Sequence, residues 1–112
     1  MNIDHHIENG HLILRPKATR IDAFEAVEFK EQVRQISTQH DLNIALWLDN
    51  VTFIDSSGLG SIVGAMKRIG PNKKMQLIEL QPAVARVFDL TQMNRVFRIF
   101  DHMTQFRAEV AT

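Results

Sequence analysis

Residues 47–60 read Trp47-Leu48-Asp49-Asn50-Val51-Thr52-Phe53-Ile54-Asp55-Ser56-Ser57-Gly58-Leu59-Gly60, the most unusual run in the chain. Just before it, Ile44 to Leu48 is apolar throughout, the pattern of a central strand covered on both faces. Just after it, Leu59, Ile62, Val63 and Met66 recur at i, i+3, i+4 and i+7, which predicts a helix over about 57–69. An acidic residue, two hydroxyls and two glycines therefore join a buried strand to a helix. A helix start leaves its first amides free and favours anionic groups. A serine there can cap the helix, bind a phosphate, act as a nucleophile or accept a phosphoryl group. Spacing alone does not choose among these.

Working outward, Gly70-Pro71 stops that helix, since glycine accepts the left-handed conformation and proline cannot continue the helix. Met75-Gln76-Leu77-Ile78 reads as the next strand. Pro82 suits the first turn of a third helix with Val84, Val87 and Phe88 inward. Val96 to Phe100 is expected as a last strand, and Asp101 as the cap of a final helix burying Met103, Phe106 and Val110. Toward the N-terminus, Asp22 is expected to cap a helix over about 23–38 whose inner face is Ala26, Phe29, Val33 and Ile36. Asn9-Gly10 has the chemistry of a two-residue hairpin turn between two first strands, the second ended by Pro16. Two strands followed by alternating helix and strand define an α/β fold with a mixed, mostly parallel sheet of 4–5 strands and about four helices.

Composition narrows the function. At 112 residues the chain supports one domain, 1–112. Thirteen basic against thirteen acidic residues leave no net charge, which argues against holding nucleic acid by bulk phosphate neutralisation. There are no cysteines, so thiol catalysis, disulfides and zinc–thiolate sites are excluded. No apolar run approaches the roughly 20 residues that span a bilayer, and no secretory leader is visible, so a cytoplasmic protein without membrane insertion is expected.

The run Leu48 to Gly60, centred on Asp-Ser-Ser-Gly-Leu-Gly, resembles the signature of the STAS domains, a family named after sulfate transporters and anti-sigma factor antagonists. Ile21-Asp22-Ala23 before a helix resembles the family's Leu-Asp-Ala turn. Asn43 to Asp49 resembles its hydrophobic strand ending in Asp. Where the family often has Gly-x-Leu-Asp, this chain has Ala18-Thr19-Arg20 before Ile21-Asp22. In the stand-alone antagonists this chain is similar to, the second serine of the motif accepts phosphate, which implies Ser57, with Ser56 as the alternative. The resemblance further implies a partner surface of Asp22, Asp55, Ser56, Ser57, Gly58, Leu59 and Ile62. It implies as partner an anti-sigma factor or other histidine-kinase-like serine kinase, with a metal-dependent serine phosphatase resetting the switch. No cofactor is expected. The alternative within the family is a constitutive accessory or scaffold subunit docking on a transporter ATPase or a signalling assembly.

Three other chemistries fit less well. Gly58-Leu59-Gly60 after a strand, with Glu79 about 20 residues on, has the outline of a dinucleotide fingerprint. Its third glycine position is Val63, and Gly64 comes one residue late. A serine hydrolase would show Gly-x-Ser-x-Gly around its nucleophile, which is absent. His5, His6, His11, His40 and His102 fall mostly at predicted ends or turns, and neighbouring His5 and His6 point to opposite faces of a strand, so no metal site is expected.

Overall fold

The computed structural model describes residues 1–111. The hairpin forms as its turn residues require. Strands β1 (Ile3–Glu8) and β2 (His11–Pro16) pair antiparallel across Asn9 and Gly10, at φ 48° and 74°. After β2 come a two-residue strand β3 (Arg20–Ile21), helix α1 (Ala23–Ser37) and strand β4 (Asn43–Trp47). Then follow β5 (Phe53–Ile54), α2 (Ser56–Arg68), β6 (Met75–Ile78), α3 (Pro82–Leu90), a 3-10 turn at Met93–Arg95, β7 (Ile99–Phe100) and α4 (Met103–Val110).

The main sheet has the order β1-β2-β4-β6-β7, parallel at every pair except the hairpin. The α/β architecture expected from the sequence, four helices and a five-stranded mixed sheet, is the one observed. Period-two alternation divides the core into two layers. Leu12, Leu14, Ile44, Leu46 and Leu77 pack with Phe29 and Val33 of α1, Leu59 and Ile62 of α2, and Val84 and Phe88 of α3. On the opposite face Ile13, Ala45, Ile78 and Phe100 pack with Met103 and Phe106 of α4.

Two expectations at the C-terminal end are corrected. The last strand is confined to Ile99–Phe100, because Val96 is half-exposed after the 3-10 turn while the Phe97 ring turns inward, edge-on to Phe88 at 5.9 Å. Helix α4 is preceded by His102, not capped by Asp101; the Gln105 side-chain oxygen accepts the amides of both Asp101 and His102, at 3.0 and 3.2 Å.

A second, two-stranded sheet is present that no residue pattern had indicated. β3 and β5 pair in parallel, Arg20 with Phe53 and Ile21 with Ile54, and the Thr19 carbonyl accepts the Thr52 amide at 2.8 Å. This small ladder ties the approach to α1 to the approach to α2. It thereby brings the two helix N-termini side by side.

Candidate functional site

The site is built where α1 and α2 begin. Asp55 precedes α2 with extended backbone, and its two carboxylate oxygens serve two helices. Oδ1 accepts the Gly58 amide of α2 at 2.8 Å, and Oδ2 accepts the Ala23 amide of α1 at 3.0 Å. Asp22 caps α1 in turn, its Oδ1 accepting the Phe24 and Glu25 amides at 3.1 and 3.3 Å. The capping expected of Asp22 is therefore present, and α2 is capped by the acid of its motif rather than by a serine.

Arg20 leans over the same corner. Its Nε donates to Asp22 Oδ2 at 3.3 Å, and its guanidinium carbon lies 4.4 Å from the centre of the Phe53 ring. Desolvation pushes the Asp22 carboxyl upward, but the Arg20 hydrogen bond and the Glu25 and Phe24 amides outweigh it. The carboxyl is held below its ordinary value.

Gly58 fixes how closely these parts approach. A Cβ built there would fall 1.8 Å from the Ile21 carbonyl oxygen and 2.8 Å from Ile54 Cγ1. Only glycine lets α2 start directly against β3 and β5. Ser61, one turn on, is buried and donates its hydroxyl to the Gly58 carbonyl at 2.6 Å.

The expected partner-facing residues divide by exposure. Ser56 and Ser57, the first two residues of α2, are exposed, and no other described residue engages their hydroxyls. Asp22 and Asp55 are half-buried; Gly58 and Leu59 are buried. Ile62 is 0% exposed, so it is no contact surface and holds α2 to the sheet from beneath. The physical reason is that the apolar stripe that betrays a helix in sequence is the side its own core consumes.

Sequence reasoning overlooked two neighbours. Phe24 and Val27 are 90% and 78% exposed on the outer side of α1. The signal was available: both lie off the Ala26-Phe29-Val33 face, so they are apolar residues on a side a solvated helix leaves polar.

The dinucleotide outline dissolves on inspection of its acidic residue. Glu79 Oε1 accepts the Trp47 indole N–H at 3.0 Å and Oε2 accepts the Met103 amide at 2.7 Å. Both oxygens are committed to joining β4 to α4.

A half-buried carboxylate cap, a glycine clamp and two unengaged serine hydroxyls meet at one helix start of this α/β domain. The chain belongs to the STAS domain family, whose model matches residues 2–105. It is 25% identical over 80 residues to the anti-sigma-B factor antagonist of Staphylococcus aureus, covering 70% of this chain and 74% of that protein. A crystal structure of a protein described as an anti-sigma factor antagonist, from Thermotoga maritima, superposes with a TM-score of 0.84 at 28% identity, over 98% of this chain and 95% of that one. The Bacillus cell fate determinant SpoIIAA in its phosphorylated form shares the fold, with a TM-score of 0.69 at 15% identity over 97% and 99% of the two chains.

Proposed function

We propose that this chain is a non-enzymatic anti-sigma factor antagonist whose binding is switched by phosphate on Ser57. Unphosphorylated, it holds an anti-sigma factor that is also a histidine-kinase-like serine kinase; phosphorylated, it lets go, and a metal-dependent serine phosphatase resets it. The observation that carries this reading is the exposed, unengaged hydroxyl of Ser57 at the second position of a helix whose N-terminal geometry is locked by Asp55. A kinase reaches such a hydroxyl without unfolding anything.

The switch needs only local charge. A phosphate adds about −1.5 to −2 charges at pH 7. The amides of Ser56 and Ser57 precede the first intrahelical bond of α2, so the helix start can take the added oxygens. A partner arranged around a neutral hydroxyl cannot. Unit charges ~5 Å apart interact by roughly 3 kcal/mol at an effective dielectric of ~20. One partner carboxylate so placed costs over about a hundredfold in affinity.

The test is mass spectrometry of protein purified from its own host, followed by binding of two variants. A single added phosphate on Ser57 is expected, with Ser57→Ala binding the partner persistently and Ser57→Asp binding poorly. Phosphate on Ser56 moves the assignment by one residue. Equal binding by both variants, with no phosphate in any growth state, overturns the switch in favour of a constitutive docking subunit.

A further inference from the structure

We infer that the open edge of strand β1 pairs with itself. A second copy of this chain adds its own β1 antiparallel, His5 against His5 of the second copy, and joins two five-stranded sheets into one. Nothing in this pairing depends on the reading of Ser57.

The two edges of the main sheet differ. At one end β7 reaches only two residues, Ile99–Phe100, and a short edge strand offers little to pair with. At the other end β1 runs for six residues, Ile3–Glu8, with no proline and no lysine in it. Its side chains from Asp4 to Ile7 are exposed, and Ile7 leaves 56% of its surface in water. The preceding residue Met1 is turned toward α1, where its carbonyl accepts the Gln32 side-chain amide at 2.6 Å.

The register follows from which backbone groups are free. The Lys17 amide donates to the Asn2 carbonyl at 2.8 Å, so Asn2, and by alternation Asp4, His6 and Glu8, direct their backbone groups to β2. Ile3, His5 and Ile7 direct theirs to the open side. A second β1 can add only where outward residues meet outward residues, which leaves registers centred on Asp4, His5 or His6. Centred on Asp4, two carboxylates meet at the axis. Centred on His6, Asp4 falls against Glu8 of the second copy, twice. Centred on His5, Ile3 faces Ile7 of the second copy and Asp4 faces His6 of the second copy, each twice by symmetry. Like charges directly opposite are unfavourable, and apolar or opposite-charge pairs are favourable. One register is thus self-complementary, as a two-fold contact requires and a foreign strand does not.

The internal partners of these groups permit the exchange. Asp4 faces Lys17 at 3.3 Å with both side chains about half-exposed, so it can accept from a second donor. The His6 ring lies 3.3 Å from Glu8, but Glu8 already takes Arg107 through both oxygens. The His6 N–H can therefore turn to Asp4 of the second copy without leaving Glu8 unpaired. Arg15, across from Asp4 on β2, is held by Asp49 at 3.0 Å. On the other face His5 has the His40 ring 6.4 Å away. Five paired residues bury less than about 1,200 Å² in all, the class of weak contacts. The dimer is then expected at micromolar concentration or above.

The test is sedimentation of the full chain up to about 1 mM, with amide exchange followed on the same samples. A concentration-dependent dimer is expected in which Ile3, His5 and Ile7 amides gain protection while Asp4 and His6 do not change. Ile7→Lys is expected to weaken dimerisation at least about fivefold, with Tm held. His6→Asp is expected to do the same, and Asp4→Lys added to it to restore the dimer, a rescue that misfolding cannot produce. A chain that stays monomeric throughout overturns the proposal. So does a dimer indifferent to Ile7→Lys, or one protected elsewhere, which assigns another face. A dimer that the double variant fails to restore overturns the register. Protection of β1 amides only when another protein is added assigns the edge to a foreign strand and overturns self-pairing.

Discussion

Asp55 does with one carboxylate what two separate caps usually do. One oxygen satisfies an orphan amide of α2 and the other an amide of α1. This predicts a graded response to substitution. Asn is as good an N-cap as Asp but has a single acceptor oxygen, so Asp55→Asn keeps one bond and turns an amide donor toward the other N–H. A loss of about 1 kcal/mol is expected for Asp55→Asn, and about 1–2 kcal/mol for Asp55→Ala, by urea denaturation. Hydrogen exchange at Ala23 should quicken in both. An Asn variant as stable as the parent, with Ala23 unchanged, would show that the second bond contributes nothing. The helix start itself was legible in sequence, because an acid followed by Ser-Ser-Gly before a periodic run marks one, but the cap expected there was a serine and not Asp55. The bond of Asp55 to α1 was not legible, because it depends on a neighbour 32 residues away that only the β3–β5 ladder brings alongside. Gly58 and Gly60 looked alike in the motif. Distance to the Ile21 carbonyl distinguishes them, and no pattern of residue types encodes that distance.

Among the elements, the strongly periodic ones were legible and the short ones were not. Helices α1 and α2 announce themselves by apolar spacing over several turns, whereas β3, β5 and β7 have two residues each and carry no period. Helix α4 is the most thinly attached. Its inner residues Met103 and Phe106 cover one patch of sheet, with the Phe106 ring edge-on to Phe100 at 5.5 Å. Its outer side is tied to the first strand by Arg107, which donates to Glu8 at 2.8 and 3.2 Å across 99 residues of sequence. The Arg107 hydrogen bond is the main reason the Glu8 carboxyl lies below its ordinary value, against some desolvation and with help from His6. A depressed carboxyl contributes stability that is present above the unfolded value, about 4.3, and is lost as pH falls through the lower folded value. Arg107 is half-exposed, so solvent screens the pair and its contribution is small. Amide protection in α4 should therefore decline on acidification below about pH 4 before that of β4 or β6 does. Glu8→Gln should lower α4 protection at neutral pH and remove that acid step. An acid step of the same size in the Gln variant would assign it to other carboxylates, with Glu31 and Asp22 next to examine since both are also held low.

At the scale of the molecule, the neutral charge balance and the rigid setting of α2 determine what phosphorylation can do. The chain starts from thirteen charges of each sign, so one phosphate is the whole of its net charge. On Ser57 that charge would sit at a helix start clamped by Gly58 against Ile21, capped by Asp55 and backed by the fully buried Ile62. No second arrangement of α2 is available without opening the core, and packed cores are not continuously deformable. The effect should then be electrostatic and local. In the protein phosphorylated on Ser57, amide resonance changes should be confined to the β3–α1 corner, the β5–α2 corner and the first turns of both helices. Exchange protection of β4 and β6 should stay as in the unmodified chain. Asp22 and Asp55 place two carboxylates near the new phosphate, while Arg20 is already engaged with Asp22. The repulsion should therefore fall on those caps first, as faster exchange at Ala23 and Gly58. Changes spreading through the sheet to β7 or α4 would contradict this, and would make release a conformational event and not a matter of charge presented to the partner.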